Sequence, residues 1–401
     1  MKITQVKVTP VSVPVSAPLR YSTGADAAIH RLIVEVHTDD GITGLGECNA
    51  GAAFEARLRE LAPRLVGVDP FQTERLRWQI GSPPEVKLFG NANHVLAAIE
   101  FACLDIQGQA VGRPVHDLLG GRLRDHIPLI AYLFYRYPNE EGEGAVFDAA
   151  TMVDHASDVV KHYGFRTLKF KAGVFPPEEE CEAIEALRKA FGTHLLRVDP
   201  NAAWSLSTAL RVARRIRDCD IEYIEDPIWG LRGMRRFNAK CPWIPLASNM
   251  AVATPEDFGP ALTLECVDAV LVDPHFYGGL RQARHAAAAL EMLNVDVALH
   301  SQGELGVSMA AQLHLAATLP ALTHAADAHY HHLTGDVIEG GKLSHERGGM
   351  SVPTRPGLGV NLDPDRMAKY HELALKMQTA EQTSIGGDPR ARDHLPVLPK
   401  W

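Results

Sequence analysis

The sequence has no long apolar run. No stretch approaches the ~18 apolar residues that a membrane-spanning helix needs. The first residues, Met1-Lys2-Ile3-Thr4, have neither the basic head nor the long apolar core of a secretory signal. We therefore expect no membrane association and a cytoplasmic location.

Positive charge is also scarce, with 40 basic against 49 acidic residues and a formal net charge of -9. Nucleic acids and anionic membranes bind through clustered positive charge, so neither is expected as a partner. The six cysteines are dispersed, with no pair at metal-ligand or redox spacing, which is typical of buried thiols in a reducing compartment. The expected partners are a small-molecule substrate and further copies of the chain in a homo-oligomer.

What is present is enough apolar material for one large barrel and a smaller domain, since 46% of the 401 residues are hydrophobic. Alternating apolar residues predict an antiparallel meander over 3–13, 32–37 and 42–47. Helical periodicity follows over 54–65, 72–80 and 94–110. Residues 1–125 are predicted to form a separate α+β domain. The stretch 16–30 is predicted to be a loop, either a surface connection or a segment that folds over a neighbouring site.

From residue 126, short apolar runs alternate with amphipathic helices, which predicts a parallel sheet closed into a barrel. The runs are 127–135, 167–171, 195–199, 223–225, 246–249, 269–273, 295–300 and a weaker 325–327. From Lys171 onward, their last polar residues recur at intervals of 24 to 28 residues. We expect these side chains at the C-terminal mouth of the barrel, where such barrels hold their active sites. A helix is predicted over 363–377, followed by a docked tail.

The run 167–171 carries Lys169 and Lys171 on one face, because successive side chains of a strand alternate. At a separation of roughly 7 Å and an effective dielectric of about 20, the two charges repel by about 2.4 kcal/mol. This repulsion favours loss of a proton from one lysine, which could then act as a base. In isolation, the pair could also be two solvated lysines on an edge strand.

Three side chains that offer only oxygen ligands end three consecutive runs: Asp199, Glu225 and Asn249. Such ligands, with two negative charges, suit Mg2+, whereas zinc would favour His or Cys. Either acid alone could instead cap a helix, since prolines follow closely. As a set on adjacent strands, the three favour a magnesium site.

Asp273 and His300 end neighbouring runs, across the predicted barrel from the lysines. A carboxylate that holds one imidazole nitrogen raises the basicity of the ring and fixes which nitrogen faces the substrate. His300 is thus a second candidate base, although alone it would fit a satisfied histidine at a barrel rim. Two bases facing each other beside Mg2+ suit abstraction of a proton next to a carboxylate.

These residues, in this order, resemble the enolase superfamily, and more narrowly its glucarate dehydratase subgroup. The resemblance is carried by Lys169-Phe170-Lys171, Ala131-Tyr132-Leu133-Phe134-Tyr135, the stretch from Asp199 to Ser205, Ser248-Asn249-Met250, Asp273-Pro274-His275-Phe276 and His300-Ser301. It implies an α/β fold, a modified (β/α)8 TIM barrel of the enolase type, (β/α)7β, over 126–340. An α+β capping domain would be built from 1–125 and the C-terminal segment 341–401.

The resemblance implies a Mg2+-dependent dehydratase that converts an acid sugar to a 2-keto-3-deoxy acid. Lys171 would be the base for one face, assisted by Lys169, and His300 with Asp273 the base for the other. The implied metal ligands are Asp199, Glu225 and Asn249, with Asn at the third position marking the subgroup. Asn201 would bind or stabilise the intermediate. The implied substrate contacts are Tyr132, Lys169, Asn201, His300, Ser301, Asp327, His329, Arg392 and Asp26.

Three positions depart from the subgroup. Asp26 stands where its members carry a histidine, a substrate-binding threonine is missing near Ala92, and Gln302 replaces the usual Asn or Asp. These positions read the far end of the sugar acid, so the sequence predicts the chemistry more closely than the substrate.

Other interpretations stay open. The same bases could serve a racemase or epimerase, and a catalytically weak relative could bind an acid sugar without turnover. His329, His331 and His332 could form a transition-metal site. A zinc hydrolase on this barrel would need a His-x-His pair on the first strand, which residues 132–135 lack.

Overall fold

The computed structural model of the protein describes residues 1–80, 92–379 and 398–401. The N-terminal strands are β1 (Ile3–Tyr21), β2 (Gly24–Thr38) and β3 (Thr43–Asn49). The helices after them are α1 (Ala52–Leu65), α2 (Thr73–Ile80), α3 (Ala92–Val111) and α4 (Val115–Leu118). The predicted meander and its helices are thus confirmed.

Glycines bring β3 into direct contact with α3, which is buried along most of its length. A Cβ at Gly44 would overlap the carbonyl oxygen of Ala102, and one at Gly46 that of Ala98. Strand and helix backbones therefore touch without intervening side chains, and the sheet is fixed to the helix.

The next elements alternate along the chain. They are β4 (His126–Pro128), β5 (Ile130–Leu133), β6 (Tyr135–Arg136), α5 (Ala149–Tyr163), β7 (Thr167–Lys171), α6 (Pro177–Ala190), β8 (Leu195–Asp199), α7 (Leu206–Arg215), β9 (Tyr223–Glu225), α8 (Leu231–Asn238), β10 (Leu246–Ser248), α9 (Phe258–Leu264), β11 (Ala269–Val272), α10 (Leu280–Met292), β12 (Asp296–Leu299) and α11 (Gly306–Ala317). Single 3-10 turns lie at Arg217–Cys219, Pro255–Asp257 and Tyr330–His332.

Seven of these strands form one parallel sheet in the order β12-β11-β10-β9-β8-β7-β5. Residues 322–327 close the ring. Leu322 bridges Val297 on one side, Ala326 bridges Leu129 on the other, and the backbone N of Asp327 donates to Leu299 O at 3.0 Å. The predicted (β/α)7β barrel is confirmed, with its weakest run as the closing segment.

The predicted strand over 127–135 is wrong in one respect, because it is three short strands. β4 ends at Pro128 and pairs with β14 (Gly349–Ser351), which follows β13 (His345–Glu346). Only β5 enters the barrel, and β6 pairs with β1. A continuous apolar run cannot indicate that its parts join different sheets.

The predicted loop over 16–30 is also wrong. These residues extend β1 and β2 into a long hairpin whose turn lies between Tyr21 and Gly24. The register shifts between Pro14 and Leu19, and beyond that bulge β1 pairs with β6 through Leu19 and Arg20. The strand that pairs with this end of β1 is β6, which is distant in sequence. Local composition therefore did not indicate that residues 16–30 form strands.

The C-terminal segment returns to the N-terminal sheet. Helix α12 (Pro364–Thr379) packs on β1, where His371 Nδ1 donates to Pro10 O at 2.7 Å. Near the end of the chain, the backbone N of Trp401 donates to Ala203 O at 3.0 Å. The tail is therefore docked beside the loop after β8, while the predicted contact residue Arg392 lies outside the described residues.

The six cysteines are free and buried, as their spacing predicted. In the described ranges, no helix combines the length and the apolarity that crossing a membrane requires.

Gly46→Ala is expected to destabilise the protein, because the new methyl group would overlap the Ala98 carbonyl oxygen. Overpacking of this kind costs about 1–3 kcal/mol. Gly192→Ala is the control, since a Cβ there meets nothing within 4 Å. Urea unfolding of both variants and the parent measures the difference, and equal midpoints would contradict the contact between β3 and α3.

Candidate active site

The strand that carries the lysines ends in a tightly held turn. The backbone N atoms of Gly173, Val174 and Phe175 donate to the Glu180 carboxylate at 2.9, 2.8 and 3.0 Å. Burial raises the pKa of Glu180 to about 7, although these hydrogen bonds oppose the change. Gly173 has φ +85°, a conformation that suits glycine. The end of β7, at Lys171, is thereby fixed.

Lys169 is completely buried at the centre of the mouth. Its Nζ lies 2.5 Å from Glu225 Oε2, 2.5 Å from Asp327 Oδ2 and 3.3 Å from Asp199 Oδ2. Burial acts to lower the pKa of Lys169, but Asp327 and Glu225 raise it well above its usual value. The repulsion predicted for the lysine pair left out these carboxylates, and Lys169 is a fixed positive charge.

Lys171 has different partners. Its Nζ lies 2.7 Å from Asp199 Oδ2 and donates to Tyr132 Oη at 2.9 Å, while that hydroxyl donates to the same Asp199 oxygen at 2.8 Å. Burial and the charge of Asp199 raise the pKa of Tyr132 well above its usual value, so Tyr132 is a neutral donor. Burial acts to raise the pKa of Asp199, but the two lysines lower it.

The three predicted metal ligands end the adjacent strands β8 and β9 and follow β10. Glu225 Oε1 and Asn249 Oδ1 are buried oxygens without a hydrogen-bond donor. Buried acceptors left unpaired cost free energy, and a cation between them would satisfy both. Asp199, Glu225 and Asn249 all offer oxygen atoms as metal ligands. The three residues therefore fit Mg2+.

Backbone strain accompanies these ligands. Asn201, Ala202 and Asp226 adopt φ of 45°, 57° and 39°, which is uncommon for residues other than glycine. Asp226 is held because it accepts hydrogen bonds from Ser248 Oγ at 2.6 Å and from the backbone N of Asn249 at 2.9 Å. Asp226 therefore fixes Asn249 to the end of β9, a role that no local sequence pattern indicates.

The predicted dyad is formed across the mouth, since β11 is the fourth strand from β7 along the sheet. His300 Nδ1 donates to Asp273 Oδ2 at 2.9 Å. Burial acts to lower the pKa of His300, but Asp273 raises it. Against the effect of burial, hydrogen bonds from His275 and His300 lower the pKa of Asp273 well below its usual value. With Nδ1 engaged, Nε2 of His300 is the nitrogen available to a substrate.

His329 and Ser301 meet beside the dyad. Ser301 Oγ donates to Glu304 Oε2 at 2.5 Å, so it accepts from His329 Nδ1 at 2.7 Å. The ring of His329 packs against Tyr132, with centroids 4.7 Å apart. Burial, then the charge of Lys171, lower the pKa of His329 well below its usual value. His329 is thus a neutral ring whose Nε2 is an acceptor.

The other predicted contacts are spread more widely. Asn201 donates its backbone N to Asp199 Oδ1 at 3.1 Å, and Asp26 lies near the hairpin turn, where it accepts from Tyr21 Oη at 3.3 Å. Burial raises the pKa of Asp26 to about 6. The hairpin reaches the mouth, because a Cβ at Gly173 would lie 3.1 Å from Ser22 Cβ. Ala92 is the buried first residue of α3.

The alternative transition-metal site is not formed by the clustered histidines. His332 Nε2 donates to Tyr132 O at 2.8 Å, and His329 Nδ1 is engaged by Ser301. Over the described part of the chain, the group of His, Cys or acidic side chains close enough to hold a metal ion is Asp273, His275 and Glu304. A guanidinium nitrogen of Arg31 lies 3.1 Å from His275 Nε2, and this positive charge opposes a cation.

Sequence reasoning also missed a buried ion pair on the N-terminal sheet. Arg31 Nε on β2 lies 2.7 Å from Glu47 Oε1 on β3, and both side chains are inaccessible to solvent. The available signal was the interruption of two apolar strands by opposite charges. Arg31 of this pair contacts His275, which in turn contacts Asp273 of the dyad.

Family models match most of the chain. Residues 3–120 match the mandelate racemase / muconate lactonizing enzyme N-terminal domain. Residues 151–366 match the enolase C-terminal domain-like model. The first match covers the N-terminal sheet and its helices, and the second covers the barrel from α5 onward.

Individual relatives cover the chain almost completely. A Streptomyces coelicolor protein described as a probable glucarate dehydratase is 40% identical, over 100% of this chain and 99% of its own. An enolase from Thermobispora bispora, crystallised with magnesium and formate, is 42% identical with a TM-score of 0.88, over 94% of each chain.

An enolase from Pseudomonas fluorescens Pf0-1, with bound magnesium, potassium and tartrate, is 33% identical with a TM-score of 0.91, over 100% of this chain and 99% of its own. The domain matches, the identities and the barrel agree. The chain belongs to the enolase superfamily, with both domains of the mandelate racemase and muconate lactonizing enzyme family.

Proposed function

We propose that this enolase-superfamily enzyme is a Mg2+-dependent acid-sugar dehydratase of the glucarate dehydratase type. It would remove the proton α to a carboxylate and eliminate the β-hydroxyl, giving a 2-keto-3-deoxy acid. The observation that carries the proposal is the pairing of Lys171 with an Asp273-held His300 across a mouth lined by oxygen ligands. The probable glucarate dehydratase and the tartrate-bound relative support a hydroxy-acid substrate.

Asp199, Glu225 and Asn249 would hold the magnesium ion. When bound there, Mg2+ supplies positive charge to the substrate carboxylate, where negative charge develops during proton removal. Lys169 adds a second positive charge from the side of β7 and keeps its proton, because its pKa is raised.

Lys171 takes the α proton at Nζ, and the electron pair of the C–H bond passes into the carboxylate. Asp199 and Tyr132 hold its Nζ in place. On the other side, Nε2 of His300 gives a proton to the departing β-hydroxyl, so the C–O bond breaks with loss of water. The enol that remains becomes the 2-keto acid.

His329 and Asn201 would contact hydroxyl groups of the substrate. His329 offers an acceptor at Nε2, since its Nδ1 proton is held by Ser301. Asp26 and Arg392 stay predictions for the far end of the substrate. Since Asp26 carries a negative charge when ionised, it favours a hydroxyl there over a second carboxylate.

A racemase or epimerase is the second candidate, because Lys171 and His300 lie on opposite sides of the mouth and could deliver a proton to either face. The products distinguish the two reactions. Dehydration releases water and a 2-keto-3-deoxy acid, whereas racemisation exchanges the α proton with solvent without loss of water.

Screening mono- and diacid sugars with Mg2+ is expected to yield a 2-keto-3-deoxy acid from at least one of them. Lys171→Ala and His300→Asn should each lower kcat by about 100-fold or more, the contribution of a general acid or base. The exposed Lys161→Ala is the control. Full activity in both site variants would exclude the two-base mechanism, and binding without turnover across the panel would favour a binding protein.

Mg2+ is expected to raise the melting temperature of the protein, because a ligand at 100 times its Kd stabilises the folded state by about 2.7 kcal/mol. Asn249→Leu removes one unpaired oxygen and should abolish most of this shift. The exposed Asn361→Leu is the control. An undiminished Mg2+ response in Asn249→Leu would place the ion elsewhere.

A further inference from the structure

Gln302 lies between the dyad and the N-terminal sheet. Its Nε2 donates to Asp273 Oδ2 at 2.6 Å, the oxygen that also accepts from His300 Nδ1 at 2.9 Å. Its Oε1 accepts from Asn49 Nδ2, on β3, at 2.7 Å. One side chain therefore joins β3 to the carboxylate that holds His300.

The other oxygen of Asp273 is fixed from the barrel side. It accepts from the backbone N of His275 at 2.8 Å and from His275 Nδ1 at 3.1 Å. Because an ionised carboxylate only accepts and the Arg31 guanidinium only donates, the proton of His275 is on Nδ1 and its Nε2 accepts from Arg31 at 3.1 Å. His275 and Gln302 together thus fix the orientation of the Asp273 carboxylate group.

The other end of the bridge is equally anchored. Arg31 donates to Asn49 Oδ1, which orients the Asn49 amide so that its NH2 group faces Gln302. Arg31 is held by Glu47, and the Glu47 carboxylate accepts from the backbone N of Ser308 at 2.8 Å. These donors and acceptors are matched across the sheet and the barrel, as a buried polar network requires.

We propose that Gln302 is a positioning residue that couples the seating of β3 on the barrel to the orientation of His300. The coupling itself rests on hydrogen bonds, whereas its effect on catalysis rests on the proposed function. β2 and β3 belong to the sheet that carries Asp26. The position of this sheet on the barrel is therefore coupled to the orientation of His300. An asparagine at 302 is one methylene shorter and would leave either Asp273 or Asn49 without its partner.

Gln302→Asn is the test, and Gln107→Asn is the matched control. Gln107 is a buried glutamine that likewise joins the N-terminal region to the barrel, because its Oε1 accepts from Arg281 Nη2 at 3.0 Å. It has no contact with Asp273 or His300 among the hydrogen bonds of the described residues. Asn49→Ala removes the bridge from its other end and serves if Gln302→Asn does not fold.

The first readout needs no substrate. In protein labelled with 15N-histidine, the Nδ1–H signal of His300 is assigned by its loss in His300→Asn. We expect this signal to shift and to exchange faster with solvent in Gln302→Asn and Asn49→Ala, but not in Gln107→Asn. An unchanged His300 signal in both bridge variants would overturn the proposal.

The second readout is kinetic. With a turned-over acid sugar, Gln302→Asn should lower kcat by about 10-fold or more with little change in KM, the effect of losing a hydrogen bond to a charged group. Exchange of the α proton on the Lys171 face should persist. A wild-type kcat in Gln302→Asn would refute the coupling. If the parent enzyme turns over no acid sugar, the proposed function fails, and the NMR comparison alone decides on Gln302.

Discussion

The buried charge of Lys169 is the constraint on which the rest of the mouth depends. An ammonium group without water is tolerated only when opposite charges surround it. Asp199, Glu225 and Asp327 meet this need, and they come from β8, from its neighbour β9 and from residues 322–327. Asp327 lies on the segment that closes the ring, so closure of the barrel and neutralisation of Lys169 require each other.

The same arrangement separates two chemically similar side chains. The shortest contacts of Lys169 are with Glu225 and Asp327, whereas Lys171 at the strand end contacts Asp199 and the Tyr132 hydroxyl. Glu225 Oε1 and Asn249 Oδ1 are buried and accept no hydrogen bond from the described residues. A spacing of two residues on one strand is therefore enough to give a fixed charge and a candidate base.

Much of this site could be predicted because it follows the strand-helix period. Lys171 and Asp199 end strands and His300 directly follows one, so their meeting at one mouth follows from the barrel alone. Partners from other sheets could not be predicted in that way. The pairing of β1 with β6 and the contact between Asn49 and Gln302 depend on how the N-terminal sheet lies on the barrel, which no local pattern describes.

The hairpin formed by β1 and β2 affects how fast a substrate can enter the mouth of the barrel. A free loop at the mouth would move within nanoseconds to microseconds. Here the residues around Asp26 are paired across the hairpin and, through β1, with β6. Their movement requires displacement of a hydrogen-bonded sheet that is itself fixed on α3. Entry of a substrate is then expected to follow collective motion in microseconds to milliseconds.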